Sequence, residues 1–201
     1  MFDPKSYGVE IESILAAHEG GDRLMPLAPS EPLRGAALKR LRQIDGRQLF
    51  GEKTVAAEDF ADCVRSALFL YLSDLDQSHT ISQDVPTATG SFLHGVMHRQ
   101  EPDFGNSKYW FRRVGSHEVF PRLRAGALTM LAGREGPGAS AAESLHRQIE
   151  SLVNWDPFWF IDQCEAARTG AGDFEKGLQE IQRLEWQLLF DYCYHKAIGD
   201  E

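Results

Sequence analysis

Two histidines four residues apart, His94 and His98, open the most polar-rich stretch of the chain, and Glu101 follows three residues later. On a helix, positions i and i+4 project from one face, so the two imidazoles can converge. Glu101 stays on that face if the last helical turn persists up to Pro102. Two imidazoles and a carboxylate suit a divalent metal that activates water for hydrolysis, so His94, His98 and Glu101 are the expected metal ligands. His117 or Asp103 is available as a further ligand. The spacing is not H-E-x-x-H: residues 95–97 are Gly95, Val96 and Met97, with no general base inside the motif.

The same stretch supports a different chemistry. Between Phe92 and Phe120 lie three of the seven histidines, together with Arg99, Lys108, Arg112 and Arg113. The segment carries +1 while the remainder of the chain carries −10. Guanidinium groups fork onto phosphate or carboxylate, and Arg112 and Arg113 stand beside Tyr109 and Trp110, where stacking can add to ion pairing. The expected ligand-binding set is therefore His94, His98, Arg99, Trp110, Arg112, Arg113 and His117, around a small anionic molecule. Adjacent helical residues diverge by about 100°, so only one of the two arginines enters a given pocket. A purely structural alternative pairs Arg99, Arg112 or Arg113 with Glu101 or Asp103 and locks a hairpin.

The elements that hold these residues are helical. Apolar residues recur at helical spacing through the chain, and sustained two-residue alternation is absent, so the fold class is all-α. At 201 residues one domain of about nine helices with short connections is expected. Tyr7, Ile11, Ile14 and Leu15 mark a first helix that Gly20 and Gly21 end. Ser30 and Pro32 suit the start of a short helix carrying Leu33, Ala37, Leu38 and Leu41. Thr54 suits the cap of the longest helix, with a stripe from Phe60 to Leu75. The polar stretch 78–89, with Pro86, reads as a loop. Short helices over 91–100 and 106–114 follow, then 117–131, a glycine-rich loop at 133–138, and helices over 141–154 and 157–168. The last helix, about 174–198, turns Leu178, Ile181, Leu184, Leu188 and Tyr192 inward.

Composition narrows the function. A net charge of −9 disfavours bulk attraction to nucleic acid or an anionic membrane. No segment reaches the ~20 apolar residues of a membrane span. Cys63, Cys164 and Cys193 are scattered, without a C-x-x-C pair, and read as reduced thiols inside helical cores. The stretch Met1-Phe2-Asp3-Pro4-Lys5 lacks the basic and apolar regions of a secretory signal, so the expected location is the cytoplasm. No Gly-rich phosphate loop, nucleophile elbow or recognisable carboxylate pair is present.

The turn Glu101-Pro102-Asp103-Phe104 before Asn106–Arg113, like Gly172-Asp173-Phe174 before the last helix, resembles tetratricopeptide and Sel1-type helical hairpins. No repeat of about 34 residues extends through the chain, so a solenoid is not expected. That likeness implies a third function, a hairpin that docks a partner helix or a second copy of the chain. The longer run L-H-G-x-x-H-R-x-E-x-D-x-x-N-x-x-Y-W-x-R-R-x-G has companions in Trp155-Asp156-Pro157-Phe158 and in the segment from Glu185 to Cys193. Together they resemble a small family of bacterial and fungal hypothetical proteins over about half the chain. The resemblance implies no particular activity, cofactor or catalytic residue.

Overall fold

The computed structural model describes residues 2–168 and 173–200, and among them there are helices and no strands. Ten α-helices follow one another: α1 (Val9–Ala16), α2 (Ala36–Gln43), α3 (Glu58–Tyr71), α4 (Leu75–Ser82), α5 (Ala88–Gln100), α6 (Phe104–Val114), α7 (Val119–Leu131), α8 (Ala139–Ser151), α9 (Pro157–Ala167) and α10 (Asp173–Ile198). The all-α expectation holds, and the apolar residues join into one continuous core. At the centre α5 packs against α3, α4 and α6, while α10 packs against α3, α7, α8 and α9. No described helix is long and apolar enough to cross a membrane. All three cysteines are buried free thiols, and burial pushes the Cys164 thiol up to about 12.

Several boundaries differ from the sequence expectation. Ser30 and Pro32 lie upstream of α2, and Leu33 instead donates its N–H to the Leu72 carbonyl at 2.9 Å. Thr54 does not cap α3. The N–H groups of Ala56 and Ala57 reach the carbonyl of Ala197 at 2.7 and 3.1 Å, so α10 organises that helix start. The longest helix is α10, with 26 residues, not α3. On α10 Leu184, Leu188 and Tyr192 are only half-buried, whereas Gln182, Glu185, Trp186, Phe190 and Tyr194 face inward. Hydropathy misplaces that face because two polar residues lie on it, and both have buried partners. The Gly172-Asp173-Phe174 turn falls partly outside the described residues.

The largest correction is α4, which occupies part of the expected loop. Its inner face is Ser78 and Ser82, both buried, so no leucine stripe announces it. Their hydroxyls face α3 and α5 rather than solvent: Ser66 Oγ lies 2.8 Å from Ser78 Oγ, and Ser82 Oγ lies 2.9 Å from His94 Nδ1. The turn entering α4 is strapped from the N-terminal segment. Arg23 Nη2 donates to Ser73 Oγ at 3.1 Å, and Arg42 Nε donates to Asp74 Oδ2 at 2.9 Å.

Helix α5 is buried from Thr89 to Gln100 and starts at Thr87, whose hydroxyl accepts from the Gly90 N–H at 3.1 Å. Asp103 starts α6 by accepting from the Asn106 N–H at 3.0 Å. The two helices meet at Gly95, where an added Cβ would lie 2.8 Å from the Phe111 ring. Ser107 Oγ donates to the Gly95 carbonyl at 2.7 Å across the same contact. Gly95→Ala is therefore expected to cost about 1–3 kcal/mol through overpacking, read as a lower urea midpoint at unchanged slope. A midpoint equal to the parent's would show that the helices separate freely here.

Candidate metal centre

Helices α4 and α5 bring three imidazoles together. His94 and His98 lie one turn apart on α5, with Nε2 atoms 3.1 Å apart. His79, one turn along α4 from Leu75, packs its ring 4.6 Å from that of His94 and 5.4 Å from that of His98. One ring nitrogen from each of the three falls within 4.8 Å of the others. Metal–nitrogen bonds of about 2.0–2.1 Å at tetrahedral angles set ligand nitrogens roughly 3.3–3.4 Å apart. The α5 pair, at 3.1 Å, lies slightly inside that spacing, and His79 lies within 4.8 Å, so closing onto an ion moves its ring inward.

The outer edges of the two α5 rings are anchored. His98 Nδ1 lies 3.0 Å from Glu101 Oε2, and His94 Nδ1 lies 2.9 Å from Ser82 Oγ. Anchoring Nδ1 by a carboxylate or hydroxyl is how protein matrices orient Nε2 toward a metal. Trp110 of α6 closes the far side, its ring 4.2 Å from that of His94, and Arg113 lies 5.1 Å over the indole. Burial lowers the pKa of His94 to about 3, and the neighbouring His98 and His79 push the same way. Burial also lowers that of His98, with Glu101 opposing. Neutral rings keep a lone pair each for coordination. A cavity of about 300 Å³ adjoins the cluster, lined by Leu75, Asp76, His79, Thr80, Met97 and Glu101.

The structure divides the remaining residues named from the sequence. Glu101 sits on the Nδ1 side of His98, away from the 3.1 Å contact with His94. Asp103 is occupied by the start of α6, where it accepts from Asn106. Arg99 is fully buried and pairs with Glu185 of α10: Nη1 donates to Oε1 at 3.2 Å and Nη2 contacts Oε2. Its guanidinium lies 4.4 Å over Phe160, and Gln182 Oε1 accepts from Nη2 at 3.4 Å. Burial alone would lower the guanidinium pKa, but Glu185 outweighs it and the pKa is raised. The anticipated partners, Glu101 and Asp103, are used elsewhere. Lys108 pairs with Asp162 at 2.5 Å, and exposed Arg112 lies 5.9 Å over Phe158.

No protein-family model, curated protein or solved structure matches the chain, so the geometry of these side chains carries the functional reading. His79 and Ser82 are the two site residues missing from the sequence expectation. A helical reading of residues 75–82 would have put Leu75, His79 and Ser82 on adjoining positions, but the polarity of that stretch concealed it.

His117 stands apart from the three-histidine cluster. Its Nδ1 accepts from the Val119 N–H at 3.2 Å, which leaves the proton on Nε2, 3.1 Å from Thr89 Oγ1. Its ring packs on Phe92 and Tyr192 and lines a cavity of about 600 Å³ with Phe120, Trp155 and Phe158. Burial lowers its pKa to about 4, with Glu118 opposing. An unfolded histidine titrates near 6.5, so between about pH 4 and 6.5 the unfolded chain binds more protons, and stability rises with pH. The contribution is fully present above 6.5 and is lost as the pH falls toward 4. Urea midpoints at pH 7 and pH 5 are expected to differ, the lower one at pH 5. His117→Gln is expected to shrink that difference without abolishing it, because His94 contributes in the same direction; an undiminished difference would refute the assignment.

Proposed function

We propose that this protein is a metal-dependent hydrolase in which His79, His94 and His98 hold one divalent transition-metal ion. The observation that carries the reading is the convergence of three imidazoles, two of them already anchored through Nδ1 to Glu101 and Ser82. Three protein ligands and an open position form the arrangement that lowers the pKa of bound water to about 7. The cavity beside His79 gives room for that water and for a small substrate. Glu101 lines the same cavity and, bonded to His98 Nδ1, holds that ring with its Nε2 toward the metal position.

Substrate charge follows from the lining. Asp76 and Glu101 border the cavity, and neither Lys nor Arg is among its lining residues. Complementarity therefore favours an uncharged or cationic substrate over an anion. The arginines that suggested an anion from the sequence are engaged otherwise: Arg99 with Glu185, Arg112 over Phe158, and Arg113 over Trp110.

Titration of the metal-free chain with Co²⁺ tests the reading. One equivalent is expected to develop the visible absorption of a tetrahedral nitrogen site, weakened in His79→Ala and absent in His98→Ala. Failure of the parent protein to bind Co²⁺ or Zn²⁺ would overturn the proposal.

A further inference from the structure

This inference rests on the metal reading and concerns how the same site passes from empty to loaded. Ser82 has one hydroxyl proton and three acceptors within reach, the Ser78 carbonyl at 2.8 Å, His94 Nδ1 at 2.9 Å and the His79 carbonyl at 3.4 Å. Ser66, one step further into the core, faces the same choice between Ser78 Oγ at 2.8 Å and the Ser78 carbonyl at 3.2 Å. The three serines and His94 are all buried, so every proton in the ladder needs a protein partner.

The far end of the ladder fixes its direction. Glu101, an acceptor, faces His98 Nδ1, so that nitrogen carries the proton and the neutral ring keeps a lone pair on Nε2. His94 Nε2 is 3.1 Å from that lone pair, and two lone pairs would repel there. The proton between the rings therefore belongs to His94, whose Nδ1 must then accept, and Ser82 is the donor facing it.

We propose that Ser82 sets the tautomer of His94 and switches it when metal binds. In the empty site protons point one way: Ser82 Oγ donates to His94 Nδ1, His94 Nε2 to His98 Nε2, and His98 Nδ1 to Glu101. In the loaded site both Nε2 atoms face the metal. His94 then carries its proton on Nδ1 and donates to Ser82 Oγ, and the Ser82 hydroxyl rotates onto the Ser78 carbonyl. One proton leaves Nε2 and one arrives at Nδ1, both exchanged with water, so the ring stays neutral and no net proton is released. The rotating hydroxyl leaves no buried group unsatisfied in either state. Ser82 is thus a positioning residue that lets a buried site stand empty without collapse and open without a change in charge.

Nitrogen-15 correlation spectra of the histidine rings test this on the whole chain, metal-free and with one equivalent of Zn²⁺. His94 is expected to show a protonated Nε2 without metal and a protonated Nδ1 with it. Ser82→Ala is expected to lose the fixed metal-free tautomer and to bind Zn²⁺ about 10–100-fold more weakly. Ser66→Ala removes a buried hydroxyl from the same ladder but leaves the Ser82–His94 contact, and is expected to keep both the switch and the affinity. Zn²⁺ binding with Nδ1 of His94 protonated in both states, or equal losses of affinity in the two variants, would overturn this inference while leaving the metal site standing. Absence of Zn²⁺ binding would overturn both.

Discussion

Glu185→Ala is expected to lower the unfolding free energy by about 3–5 kcal/mol, because it leaves the Arg99 guanidinium buried without its counter-charge. Arg99 is 1% exposed and touches Glu185, Gln182 and the Phe160 ring, so no solvent can replace the lost carboxylate. Against a typical total of roughly 5–15 kcal/mol, that loss alone brings the protein near its threshold. The paired variant Arg99→Met/Glu185→Leu separates the two contributions. It removes both charges, keeps apolar volume beside Phe160, and is expected to recover most of the stability. Equal destabilisation in single and paired variants would mean that the site is sensitive to packing and not to charge.

Zn²⁺ at a thousandfold excess over its dissociation constant is expected to raise stability by about 4 kcal/mol, since the unfolded chain has no assembled site. In a chain of this size that corresponds to a rise in Tm of roughly 8–16 °C. Chelation should reverse it. His94→Ala removes a proposed ligand whose Nε2 is 3.1 Å from that of His98, and should abolish the rise while the metal-free protein still melts cooperatively. A rise of equal size in His94→Ala would place the metal elsewhere, and His18, His146 and His195 would be the next residues to change.

Periodicity makes most of this fold legible from residues alone. The helices expected over 91–100, 106–114, 117–131, 157–168 and 174–198 and the pairing of His94 with His98 all follow from local rules. What those rules miss is of one kind. Helix α4 buries serines, α10 buries Gln182 and Glu185, and the start of α3 bonds to Ala197 instead of to Thr54. In each case a polar group sits inside because its partner arrives from another element of the fold. Gln182 donates to the carbonyls of Met25 and Pro26 at 3.2 and 3.3 Å, and Glu185 meets Arg99. Local hydropathy scores such residues as outward-facing. The cluster was half visible for the same reason: two histidines share a helix, and the third comes from an element whose burial depends on hydrogen bonds.

The bonds from Ala56 and Ala57 to Ala197 also bear on the order in which the protein assembles. They are joined by others from α10: Trp186 Nε1 donates to the Ala67 carbonyl at 2.8 Å, Gln187 to the Gly21 carbonyl at 3.0 Å, and Tyr7 donates to Asp191 at 3.0 Å. These links span between 119 and 184 positions along the chain, far more than the neighbouring-helix contacts that let small bundles fold in microseconds to milliseconds. On a ribosome, the segments that become α1–α3 wait uncovered until α10 has emerged, with the Trp186 and Phe190 face still missing from their core. A nascent chain stalled before α10 should accordingly be digested by protease along its whole length, and release of α10 should protect the early helices and the late ones together.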